Sequence, residues 1–283
     1  MPPRRTPTAR QERLGAELRK MREAAGLKAT EAASLLGVNS VQISQIESGI
    51  SGVSEERLRR LAAHYTCVDE ELVSGLVMMA TNRTRGWWEE YRGSLPHSFL
   101  DLSELEHHAS LRWDVDFLHV PGLLQTADYA RALFSYVNPQ FPEEEIQRWV
   151  DHRMKRRVII EQPQPIPYEA VIHEAALRIK VGDNAGMRAQ LDHVLDLSAS
   201  EHITVRVIPF TVNGFAGAGS AMVYAGGPVP KLDTVVRDAP HGTVFVDAEA
   251  QLRHFRTLFR RVGEVAFEPE RSREFIHQLA KEL

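Results

Sequence analysis

Between Glu31 and Gly49 the sequence reads EAASLLGVNSVQISQIESG, and its polar residues are spaced for contact with the edges of DNA bases. Ser40, Val41, Gln42, Ser44 and Gln45 fall on the outward side of a short helix, while Leu36, Val38, Ile43 and Ile46 fall inward. A helix of this kind enters the major groove, and residues near its N-terminus reach the bases. Gln45 has the fork to pair with adenine, Ser40 can donate or accept, and Val41 suits a thymine methyl. Lys28, Asn39, Arg10 and Arg13 are the expected phosphate contacts. Two helices meeting at a wide angle need a residue free to take φ > 0 between them, and Gly37 supplies it. Ala33 is small where the two helices would touch.

No other stretch has comparable chemistry. There is no G-x-S-x-G elbow, no Cys/His signature and no carboxylate pair in a supporting context, so no enzyme is expected. Glu106-His107-His108 and His173-Glu174 lack the i, i+4 spacing of a helical metal site, and neither a metal nor a cofactor is expected. Cys67 is the single cysteine and reads as a packed thiol. The stretch NGFAGAGSAM at 213–222 lacks the Gly-Lys-Ser/Thr ending of a phosphate loop and precedes a strand, which makes it a hairpin connection or a lid. The basic run Arg153–Arg157 is explained by its place at a helix C-terminus. Trp87, Trp88 and Tyr91 form an aromatic group suited to core packing or to lining a pocket. Trp113, Phe117, Leu123, Leu124, Gln125 and Tyr129 are expected to line that same ligand or partner pocket.

Five short helices must position the DNA-facing residues. Thr8 caps the first, with Leu14, Leu18 and Met21 on one face, and Gly26 ends it. The second covers about 29–36. Asn39 caps the third, about 40–48, and Ser54 the fourth, with Leu58, Leu61, Ala62 and Tyr65 inward. A fifth runs over about 69–80. From Trp87 onward the pattern mixes helices (around 87–91, 102–112, 127–136, 142–157, 184–199, 248–262 and 269–281) with strands (168–173, 203–210, 220–225, 234–237 and 243–246). The expected fold is an all-α N-terminal helix-turn-helix domain over 1–80. A mixed α/β (α+β) C-terminal domain over 81–283 follows.

The chain has 283 residues and a net charge of −4, which argues against nucleic acid only if the charge is evenly spread. Residues 1–67 carry eleven Lys/Arg against seven Asp/Glu, a local excess of +4 against −8 elsewhere. A basic module on an acidic body is the asymmetry of a nucleic-acid binder joined to something else. No apolar run approaches a membrane span and MPPRRTPTAR lacks a signal-peptide core, so a cytoplasmic, nucleoid-associated protein is expected.

The segments LRKMREAAGL at 18–27, AASLLGV at 32–38 and ISQIESG at 43–49 resemble the helix-turn-helix module of the xenobiotic-response-element (XRE) class of bacterial regulators. The body resembles that of WhiJ-like actinobacterial regulators in GWWEEY at 86–91, LEHHA at 105–109, VPGLLQTADYARALF at 120–134, HEAALR at 173–178, ITVRVIPF at 203–210 and FEPERSREFI at 267–276. The resemblance implies a transcriptional regulator, a repressor or activator, acting on double-stranded operator DNA as a homodimer. Its body would take a signal from a small-molecule effector or a small partner protein. The alternative is an antitoxin-like interaction module whose body mainly binds a small partner encoded nearby. Two departures stand out. Lys28-Ala29 replaces the usual Ser-Gln, and Ile50, Ser51, Gly52 and Val53 replace the basic and proline residues usual after Gly49. Fewer phosphate contacts follow, so grip per monomer should be weak and recovered by pairing.

Overall fold

The computed structural model describes residues 6–82, 84–213, 215, 221–239 and 242–283. Arg4, Arg5 and most of the 213–222 glycine-rich stretch lie outside the described residues. Local signals set the first helices. The Thr8 hydroxyl accepts the Gln11 N–H and the Gln11 side-chain oxygen accepts the Thr8 N–H, which opens α1 (Ala9–Ala24). Next come α2 (Ala29–Leu36) and, after Gly37 at φ 71°, α3 (Ser40–Glu47). Ser54 caps α4 (Glu55–His64), and Asp69 caps α5 (Glu70–Thr81). Leu18, Leu36, Ile43, Ile46, Leu58, Leu61 and Leu76 fill the core between these five helices.

The body follows in the order α6 (His97–His107), β1 (Arg112–Asp116), α7 (Ala127–Val137), α8 (Glu143–Lys155), α9 (Val158–Glu161), β2 (Tyr168–His173), α10 (Glu174–Arg178), α11 (Asn184–Leu197), β3 (Ile203–Ile208), β4 (Met222–Ala225), β5 (Thr234–Ala239), β6 (Gly242–Val246), α12 (Glu249–Val265) and α13 (Pro269–Glu282). Its six strands form one sheet in the order β3-β2-β1-β4-β5-β6. The first three are parallel to one another, and β4, β5 and β6 are antiparallel to their neighbours. The fold is therefore an all-α region followed by an α+β body.

Alternation along the strands divides the body's packing. Tyr168, Ala170 and Ile172 join Leu191, Val194 and Ile276 in one core, while Val115, Val171, Tyr224 and Val235 pack with Leu252 and Phe259 of α12. The helix expected over 102–112 is α6, which ends at His107, and the central strand β1 that follows was not expected from the sequence. Its sequence, RWDVD, alternates charged and apolar residues like a solvated edge, yet Arg112 and Asp114 are each only 1% exposed. They are buried because they are paired. Arg112 grips Asp114 with Nε and Nη2 (2.8 and 2.9 Å), and the Tyr168 hydroxyl donates to the same carboxylate at 2.8 Å. Arg112 also pairs with Glu106, which Arg156 grips in turn with two hydrogen bonds at 2.8 and 2.6 Å.

One leucine joins body to helices. Leu232 lies between β4 and β5, is 4% exposed, and sits in the core of the helical region. Gly75 of α5 makes the notch, since a Cβ there would stand 2.9 Å from the Leu232 side chain. Around it, Arg13 of α1 donates to the Lys231 carbonyl at 2.7 Å and the Asp233 carbonyl at 3.2 Å. Lys231 pairs with Asp69, and Asp101 of α6 accepts the Ala9 N–H at 3.1 Å. Truncating so buried a leucine removes its contacts and leaves a void. Leu232→Ala should lower stability in urea titrations by about 2–5 kcal/mol. A loss below about 1 kcal/mol would mean that the leucine is not part of the helical core.

Candidate nucleic-acid interface

Helix α3 has only eight residues, too few to be stable alone in water, so its position depends on what holds it. Asn39 starts it: the side-chain oxygen accepts the Gln42 N–H at 2.9 Å, and the Gln42 side-chain oxygen accepts the Asn39 N–H at 3.4 Å. Ile43 and Ile46 fix its inner face, at 1% and 6% exposure. Glu47 locks its end. Arg22 of α1 donates Nε to Glu47 Oε1 (2.6 Å) and Nη2 to Oε2 (2.9 Å), while its Nη1 donates to the Leu27 carbonyl at 2.7 Å. Both side chains are about nine-tenths buried, and the Glu47 carboxylate holds the Arg22 guanidinium above its ordinary pKa.

The outer face carries the residues expected to meet bases, in graded exposure. Val41 is 61% exposed, Gln42 and Ser44 are exposed, and Ser40 and Gln45 are half-buried. Gln45 is held: its side-chain oxygen accepts the Ser51 hydroxyl at 3.3 Å and its carbonyl accepts the Ser51 N–H at 2.9 Å. Ser51 therefore orients the Gln45 side chain.

The four expected phosphate contacts separate. Lys28 is exposed at the start of α2, where Glu31 accepts its backbone N–H at 2.6 Å, and Asn39 is exposed at the start of α3. Arg10 and Arg13 are corrected. Arg10 donates Nη1 to the Met79 carbonyl at 2.8 Å, and Arg13, 8% exposed, is bound to body carbonyls and to the carboxylates of Glu17 and Asp247. Counting cations along the sequence does not separate those facing solvent from those satisfying carbonyls. Arg57 and Arg60, which the sequence reading passed over, are exposed on α4 and stand outside the ion pairs of the described residues. Arg153 and Arg156 turn inward, to Gln125 (2.6 Å) and Glu106.

The expected aromatic pocket is also corrected. Trp87 and Tyr91 pack on His152, and Trp88, 2% exposed, packs on His107. Burial pushes His152 down to about 3, so its ring is neutral, and its Nε2 shares a 3.0 Å hydrogen bond with Ser103. Trp113 is stacked between Tyr224 and Phe259 under α12, and Phe117 lies by His173 and Phe215. Leu123, Leu124 and Tyr129 belong to the other core, where the Tyr129 hydroxyl accepts the Val120 N–H at 3.1 Å and Gln125 donates to the Val120 carbonyl at 2.7 Å. These nine residues do not share a cavity, because β1 sends Trp113 to the opposite face from Arg112 and Asp114. Gln125 borders a cavity of about 230 Å³ that Arg112, Asp114, His152 and Arg153 also line.

Residues 13–74 match a family model described as "Helix-turn-helix domain", and residues 99–278 match one described as "Domain of unknown function (DUF5753)". No curated protein and no solved structure matches the chain significantly. The first match spans α2, Gly37 and α3, together with the α1 and α4 that brace them. No helix among the described residues is long and apolar enough to cross a membrane.

A buried ion pair specifies geometry more than it stabilises, but removing one partner strands the other. Glu47→Ala should cost about 3–5 kcal/mol in chemical denaturation, and Arg22→Met with Glu47→Leu should recover most of it. Equal losses in the single and double variants would show that the pair is not what closes α1 onto α3.

Proposed function

The chain belongs to the DUF5753 family and carries a helix-turn-helix DNA-binding domain at its N-terminus; from that premise we propose a sequence-specific transcriptional regulator that reads operator DNA through α3. The observation that carries this reading is the outer face of α3. It is open and polar around Val41, Gln42 and Ser44, while the helix behind it is held by the Arg22–Glu47 pair. Val41 offers an apolar contact and Gln45 an amide. A bidentate bond from Gln45 to adenine would exchange the Ser51 hydroxyl for the base. Lys28, Arg57 and Arg60 would supply the phosphate contacts.

With three such cations per copy, the non-specific grip is small. A homodimer setting two α3 helices about 34 Å apart on one face of the DNA would double both base and phosphate contacts. The XRE-class, WhiJ-like arrangement, the homodimer, repression or activation by operator occupancy, and a body that responds to an effector or a small partner are parts of the same proposal. It is a binding role, exercised where the chromosome is, with no catalytic step.

Selection of full-length protein against a random duplex library should enrich one sequence. On that sequence, Gln45→Ala should relax the preference at one position by about 1–3 kcal/mol. Lys28→Gln should instead weaken all sequences alike and flatten log K against log salt by roughly 0.9. Absence of enrichment, or a uniform loss from Gln45→Ala, would contradict the assignment of α3 as reading helix.

A further inference from the structure

A cavity of about 760 Å³ lies where the helical region meets the body. One wall is α1 with the end of α5, and the other is α6, the turn at 226–228 and β6. Met78, Met79, Leu105, Ala109, Leu232 and Phe245 make the lining largely apolar. The volume falls in the range of roughly 300–1,000 Å³ that encloses a drug-sized molecule. Paired methionines on one wall let it adapt to more than one shape.

The charged groups of the walls are not equivalent. Arg13 is neutralised by Glu17 (2.9 Å) and Asp247 (3.4 Å), and it also donates to two carbonyls. Arg10 donates Nη1 to the carbonyls of Met79 and Asn82. Burial pushes His108 down to about 4, so its imidazole is neutral near pH 7. Two carboxylates from opposite walls remain. Among the described residues neither the exposed Glu12 of α1 nor the half-buried Asp101 of α6 forms an ion pair; Asp101 accepts the Ala9 N–H, with the charges of Arg92 and His97 nearby. Burial raises the pKa of both, and the charge of Asp101 raises that of Glu12 further. With Asp247 the lining holds three carboxylates against the two guanidinium groups of Arg10 and Arg13, and this net negative wall on a largely apolar cavity favours a cation with an apolar body over an anion or a sugar.

We propose that this junction is an effector site for a hydrophobic organic cation, a drug-sized apolar molecule bearing one protonated or quaternary nitrogen. The nitrogen lies between Glu12 and Asp101, and the apolar body lies along Met78, Met79 and Leu105. The regulatory consequence rests on the DNA-binding reading, whereas the binding itself does not. Helix α1 forms part of the wall and also carries Arg22, which holds α3. A ligand that fits two spacings of the junction unequally therefore shifts the setting of α3.

The test uses rhodamine 6G, a fluorescent hydrophobic cation, titrated with the full-length protein in the absence of DNA and read by anisotropy. Saturable one-to-one binding is expected. Ala16→Trp and Leu105→Trp, which fill the cavity from opposite walls, should each abolish it. The conservative pair Glu12→Gln with Asp101→Asn should weaken it roughly tenfold or more, with an unchanged thermal melt. Absence of saturable binding, or binding that survives both tryptophans, would overturn the site. Affinity unmoved by the carboxylate pair would overturn the ligand class, and that variant remains informative even where a tryptophan disturbs folding. Because DNA is absent, failure here leaves the reading of α3 standing, and failure of the duplex selection leaves this site standing.

Discussion

Helix α1 is gripped twice, and the rest of the arrangement follows from that. Near its start Arg13 holds carbonyls of the body, and near its end Arg22 holds Glu47 of α3. Between the two grips, Leu18 packs in the same core that receives Leu232 from the body. An eight-residue helix has no stable conformation of its own, so the outer face of α3 is set by this chain of contacts. The guanidinium groups suit the task because each presents several donors in a fixed plane and keeps its charge when buried.

Buried charge recurs in the body for a related reason. The run Arg156–Glu106–Arg112–Asp114–Tyr168 ties α8, α6, β1 and β2 together with directional bonds. Apolar packing alone would accept small shifts of these elements, whereas paired, directional hydrogen bonds such as those from Arg112 to Asp114 and from Arg156 to Glu106 constrain them more tightly. The same elements carry Asp101 and Leu105 to the domain junction. The polar network thus fixes the wall against which the helical region docks.

Much of the helical region could be read from sequence because its determinants are local. Thr8, Asn39, Ser54 and Asp69 cap helices within three residues of themselves, and Gly37 marks the turn by its own backbone preference. The strand β1 was hidden, since Arg112 and Asp114 look solvated until Glu106 and Tyr168 are brought beside them. Trp113 and Phe117 were grouped with Trp87 by composition, and strand alternation then separated them. Arg10 and Arg13 were counted as cations for DNA, while their partners lie about 70 and 220 residues away along the chain. The junction cavity has no signature at any one position, because its two walls meet only in the folded chain.

The most direct test of the account is amide hydrogen exchange on the full-length protein, with and without its selected duplex. Slowed exchange is predicted at residues 40–48 and around Lys28, with a smaller change at 230–233, where the body grips α1. Slowing confined to the body, with residues 40–48 unchanged, would contradict the claim that α3 reads DNA while the body holds it in place.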